Sequence, residues 1–182
     1  MQFKRKIKIF IIAGELSGDQ IGSSIIYELK KRINVTLFGV GGKNLMKLGL
    51  KPIFPIKNIA LMGILEIVPK IPKLLSLINL TFNSIKSTNP DLIITIDSPD
   101  FNFRIGKKLK KHNINTNILH IVAPSVWAWK SGRAKKISKF IDYLFVLYSF
   151  EKIYFTSHGI KTHFIGHPII EQKNYQSFSG NY

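Results

Sequence analysis

The chain has 182 residues, 27 Lys and Arg against 10 Asp and Glu, a formal charge of +17 and no cysteine. Without Cys there are no disulfides, no thiolate chemistry and no Cys-ligated zinc or iron–sulfur sites. The length suits one domain with a full core and is short for an enzyme of two domains, while a hydrophobic content of 45% excludes a disordered chain.

At the N-terminus, Lys4, Arg5, Lys6 and Lys8 precede the apolar run Ile9 to Ala13. A signal peptide is disfavoured, because the run is short, ends in Gly14-Glu15 and meets no small-residue cleavage site. Nowhere is there a run of the ~18 apolar residues that a spanning helix needs. A buried first strand over Ile7 to Ala13 explains the pattern. Similar β-branched runs follow at Val35 to Val40, more weakly at Lys51 to Ile56, then at Leu92 to Ile96, Asn117 to Val122, Tyr143 to Leu147 and Thr162 to Ile165. They are apolar throughout rather than alternating, which predicts strands covered on both faces of a parallel sheet.

Helical patterns lie between them. Ser17, with Gln20 three residues on, resembles a capping box, and Ile21, Ile25, Ile26 and Leu29 follow at helical spacing. Pro69 and Pro72 suit the first turn of a helix running to about Ser87, with Leu74, Leu75, Ile78, Phe82 and Ile85 as its apolar positions. Phe103 to Lys111, Ser131 to Phe140 and Phe150 to Ser157 complete the set. The alternation predicts a Rossmann-like, doubly wound α/β domain, in which ligands sit beyond the carboxyl ends of the strands. The tail from Glu171 to Tyr182 is polar, aromatic and aperiodic, as a linker or frayed end would be.

The residues at those strand ends carry the chemistry. After the first strand, Gly14-Glu15-Leu16-Ser17-Gly18-Asp19 allows a tight turn into a helix, but the spacing is neither that of a dinucleotide fingerprint nor of a P-loop. Glu15 and Asp19 would repel a phosphate and suit sugar hydroxyls or an orienting role; a plain capped turn is the alternative. Gly39 to Gly42 makes a second glycine turn. After the fourth strand, Asp97-Ser98-Pro99-Asp100-Phe101-Asn102 offers two carboxylates. We assign Asp100 to capping a helix that starts near Phe101 and keep Asp97 for chemistry, where partial burial favours a general base. The pair makes a poor metal site, having no third ligand nearby. After the fifth strand, Trp127 and Trp129 precede Lys130, Arg133, Lys135 and Lys136. The indoles suit stacking, an acyl pocket or simple core packing. The basic cluster suits a phosphate near a lipid headgroup. Only 4 of the 27 basic residues are Arg, which weighs against base readout and a nucleic-acid partner. His163 and His167 lie on a strand and its turn, not at helical ligand spacing, so no metal site is expected there.

Six motifs occur in one order: Gly14 to Asp19, Met62 to Ile67, Ile96 to Asn102, Pro124 to Trp129, Phe150 to Lys152 and Phe164 to Pro168. Together they closely resemble the lipid-A-disaccharide synthases, inverting glycosyltransferases of the GT-B type (family 19), over about Ile7 to Pro168. The resemblance implies transfer of 2,3-diacylglucosamine from UDP to the 6-hydroxyl of 2,3-diacylglucosamine 1-phosphate, giving a β-1,6 disaccharide and UDP. It implies no metal or redox cofactor, and a cytoplasmic enzyme peripherally associated with the inner membrane. Asp97 is then the base that activates the acceptor hydroxyl. Asp100 and Asn102 shape the acceptor pocket, and Glu15, Ser17, Gly18 and Asp19 border the same cleft. Met62 and the helix after Pro69 supply apolar surface, while Ser125, Trp127, Trp129, Arg133 and His167 complete the substrate-binding set. Such enzymes run to about twice this length. Residues 1–170 are thus expected to be the N-terminal, acceptor-binding domain and residues 171–182 a truncated linker, with the UDP-binding half absent; a half-enzyme that works with a separately encoded carboxyl half is one reading. An inactive remnant and a non-catalytic lipid- or anion-binding module are the alternatives.

Overall fold

The computed structural model describes residues 6–60, 71–124 and 132–166. Six strands form one wholly parallel sheet: β1 (Ile7–Ala13), β2 (Val35–Val40), β3 (Leu92–Ile96), β4 (Ile118–Ile121), β5 (Tyr143–Val146) and β6 (Lys161–Phe164). Their order across the sheet is β2-β1-β3-β4-β5-β6. The Ile- and Val-rich runs become strands because branched side chains pack well on a pleated surface buried on both sides. Phe10, Ile12 and Ile93 face one layer of core, and Ile9, Ile11, Ile94 and Ile96 face the other.

Helix α1 (Leu16–Arg32) and the short α2 (Lys43–Lys47) cover one face through Ile26 and Leu45. After the short α3 (Lys57–Ala60), α4 (Ile71–Thr88), α5 (Pro99–Lys111), α6 (Gly132–Ile137) and α7 (Lys152–Thr156) cover the other. They do so through Ile78, Phe82, Ile85, Ile105, Leu109, Ile137 and Phe155. A 3₁₀ turn, Ser149–Glu151, precedes α7. The connection from β1 leaves toward one face and that from β3 toward the other, so the topological switch point lies between the carboxyl ends of these two adjacent strands.

Four local expectations are corrected. Lys51 to Ile56 is not a strand: with Pro52 and Pro55 removing ladder donors, the segment makes a single bridge, Gly39 to Pro52. Ser17 does not cap α1. The helix starts a residue earlier, with extended Glu15 as its N-cap and the first helical bond running from Asp19 N–H to the Glu15 carbonyl. Asp100 does not cap α5 either. Ser98 holds that position and Asp100 sits exposed in the first turn, where its charge still favours the helix dipole. Finally, β6 is an edge strand with only Thr162 buried, not one covered on both faces.

Candidate active site at the β1–β3 switch point

Two turns meet at the switch point. Gly14, just after β1, lies against Ser98, just after β3. A Cβ added to Gly14 would come 2.0 Å from the Ser98 hydroxyl oxygen and 2.4 Å from its Cβ. Only glycine lets the two strand ends approach this closely.

The turn after β3 is strained. Asp97 and Ser98 take φ of 50° and 44°, consecutive left-handed conformations in two residues that carry side chains. Just after neighbouring β4, Val122 takes φ 75°, and a β-branched residue there is an outlier. Such strain persists only when the surroundings over-determine it, and it concentrates at functional sites. Here the determinants are visible. Asp97 N–H donates to the Ile121 carbonyl (3.0 Å). The Asn102 amide donates to the Asp97 carbonyl (2.7 Å), and Ser98 N–H donates to one oxygen of the Asp97 carboxylate (2.8 Å). The second carboxylate oxygen accepts nothing among the described residues. Asp97 is half-buried, fixed in orientation, and open on one oxygen.

Asp19 differs. It is 1% exposed, and its carboxylate accepts from the backbone N–H groups of Gly42 (2.7 Å), Asn44 (2.9 Å) and Leu45 (3.2 Å). These are the orphan donors at the start of α2. The carboxylate therefore caps α2 from α1 instead of bordering an open cleft. A Cβ on Gly42 would sit 2.8 Å from its Oδ2, so the second glycine turn is shaped to admit Asp19.

Around these two, Glu15 and Ser17 are exposed at the rim while Gly18 is buried, its Cα passing over Ile96 at the end of β3. Asn102 is 1% exposed, so it shapes the site by holding the Asp97 turn, not by lining a pocket. Asp100 and Arg133 lie together along the groove between α5 and α6. The Arg133 guanidinium sits 5.9 Å from the centre of the Phe103 ring. Met62, Ser125, Trp127, Trp129 and His167 lie outside the described residues.

Sequence reasoning missed one group. His120 is fully buried in β4, its Nδ1 2.8 Å from the Thr95 hydroxyl and its ring edge-on to Phe103. Burial pushes its pKa down to about 3, so the imidazole is neutral. Among the described residues, His120 Nε2 and Asn102 Oδ1 are buried with no hydrogen-bond partner. The signal available was a lone polar residue inside the apolar run Ile118 to Ile121, paired in register with Thr95.

With this geometry in place, comparison with known proteins is specific. The model of the lipid-A-disaccharide synthetase family matches residues 9–181. The lipid-A-disaccharide synthase of Rickettsia akari is 49% identical over 169 residues, which is 92% of this chain and 43% of that protein. That of Rickettsia bellii (strain OSU 85-389) is 46% identical, covering 92% of this chain and 44% of the relative. That of Rhodospirillum centenum is 39% identical, covering 92% and 42%. The chain thus spans less than half the length of these curated relatives.

Proposed function

Because the chain belongs to the lipid-A-disaccharide synthetase family, we propose that it supplies the acceptor side of a lipid-A-disaccharide synthase. The reaction moves 2,3-diacylglucosamine from its UDP derivative to 2,3-diacylglucosamine 1-phosphate. In this reading residues 1–170 are the acceptor-binding domain. The UDP-binding surface belongs to the part of the relatives that this sequence does not cover, whether carried on the same chain or on a separate one.

The observation that carries the proposal is the Asp97 carboxylate at the switch point. An inverting transfer needs a base within reach of the acceptor hydroxyl. The Ser98 N–H holds this carboxylate while the Asn102 amide holds its backbone carbonyl, and the other carboxylate oxygen is available to take the proton as the hydroxyl attacks the anomeric carbon and UDP departs. Glu15 and Ser17, exposed at the rim, are placed to meet sugar hydroxyls. Peripheral membrane association fits the same reading. Ile71 and Leu75 lie one helical turn apart on α4 and stay exposed, with Lys73 between them. Among the described residues no helix is long and apolar enough to cross a membrane.

The test is reconstitution with the carboxyl-terminal part of a relative and UDP release as the readout. Turnover should appear in the mixture and fall about 10²- to 10⁴-fold for Asp97→Asn, with substrate binding retained. A reconstituted pair whose turnover survives Asp97→Asn would remove Asp97 from the chemistry.

A further inference from the structure

A groove of about 1220 Å³ runs between α5 and α6. Arg104, Lys107, Lys108 and Lys111 recur along it at spacings of three and four on α5, and Arg133 and Lys136 face them from α6. Spacings of three and four place the α5 cations on one side of that helix. Among the described residues the only acidic one lining the groove is Asp100, at its strand-end mouth. Lys108 bonds to the Asn79 side chain and Arg133 rests on Phe103, yet none of the six cations forms an ion pair among the described residues. In its floor the large apolar side chains Phe103, Ile137 and Phe140 are at most 7% exposed.

The two properties together define the ligand. Its large apolar side chains are packed into the core, and six cations line its walls. Four cations on one side of the thirteen-residue α5, faced by two more from α6, repel one another, and a multiply charged anion relieves that repulsion. We propose that the α5–α6 groove is a binding site for phosphomonoester groups, which carry close to two negative charges and three acceptor oxygens. Its far end, at Lys107, Lys111 and His112, lies roughly 15 Å along α5 from the Asp97 turn at ~1.5 Å per residue. Its mouth, at Pro99 and Asp100, adjoins that turn, and the proposed acceptor carries a phosphomonoester, so the inference deepens the proposed function and rests on it; the binding measurements below and the turnover of the reconstituted pair can still fail separately.

Two probes separate the possible sources of the phosphate. Glycerol 3-phosphate is the soluble one. Phosphatidylcholine vesicles with added phosphatidic acid present the same group on a lipid surface, with pure phosphatidylcholine as the blank. Binding to the full chain is followed by titration calorimetry, by co-sedimentation and by the proton resonances of His112, which lines the groove. The phosphomonoester should bind saturably, shift His112, and weaken as salt rises. Combined Arg104→Gln, Lys107→Gln and Lys111→Gln, all at exposed positions, should weaken it about tenfold or more, because half of the attracting charges are gone. Lys43→Gln, Lys47→Gln and Lys51→Gln remove the same charge elsewhere and should change it less than about twofold. Tighter binding to the vesicles than to glycerol phosphate at matched headgroup concentration assigns the site to lipid headgroups, and the reverse assigns it to soluble esters. Equal losses in the two triple variants would reduce the effect to net charge and overturn the proposal. So would the absence of saturable binding to either probe, or binding confined to an oligonucleotide.

Discussion

The turns after β1 and β3 each place a carboxylate near the switch point, and the structure uses the two in opposite ways. Around Asp19 every demand is met. The carboxylate takes three backbone donors, is buried, and joins the start of α1 to the start of α2. Around Asp97 demands are left open among the described residues: a carboxylate oxygen that accepts nothing, two left-handed residues, and buried polar atoms of Asn102 and His120 without partners. A saturated, unstrained carboxylate stabilises the fold. A fixed but unsaturated one is available to a substrate, and the strain that orients it is tolerated because packing elsewhere outweighs it.

The contrast can be broken from several sides. The largest effect concerns His120, beneath the Asp97 side. Its folded pKa of about 3 lies below the ~6.5 of an unfolded histidine. Above pH 6.5 both states are neutral and the group contributes nothing to the pH dependence. As pH falls from 6.5 toward 3 the unfolded state takes up a proton that the folded state refuses, so stability drops by about 1.4 kcal/mol per pH unit. Urea midpoints between pH 7 and 5 should fall more steeply for the parent chain than for His120→Asn. Parallel slopes would show that the imidazole can be protonated without unfolding the chain.

A smaller effect comes from joining the two turns. Gly14→Ala puts a methyl into Ser98, which must move, at a cost of about 1–3 kcal/mol. Thermal unfolding reads that loss, and reconstituted turnover should suffer with it because Asp97 shares the displaced turn. The smallest effect is at Ser17, which makes no capping bond. Ser17→Ala should change stability by less than about 0.5 kcal/mol, where a true N-cap would lose about 1 kcal/mol.

The sheet was legible in the sequence because doubly covered parallel strands are apolar without interruption, and all six appear within a residue or two of their runs. The weak run at Lys51 was misread because its apolar content outweighed two prolines that forbid a ladder. Caps were less legible. Ser17 and Asp100 are good capping residues, but which residue takes the position depends on where the chain leaves the strand, and that is set by the packing of Gly14 on Ser98. The division of labour between Asp19 and Asp97 was only half legible: Asp97 stands out at a strand end, but the burial of Asp19 does not. Both follow a strand and both adjoin a helix start; only the position of α2, brought back over α1, gives one of them three donors. Asn102 was assigned to the right turn for a different reason, since its work is on the backbone of Asp97. His120 was passed over because a neutral, buried histidine looks like any other until its neighbours are known.

If Asp19 stabilises the fold while Asp97 serves as the proposed base, the two carboxylates should part on substitution. The most direct test is the urea unfolding of Asp19→Asn and Asp97→Asn, side by side at pH 7. Asp19→Asn removes a buried charge from three N–H donors and turns an amide toward one of them, and should lose about 3 kcal/mol. Asp97→Asn keeps an acceptor for a single N–H and should unfold within about 1 kcal/mol of the parent. Equal losses in the two variants, or a larger loss at Asp97, would contradict the account.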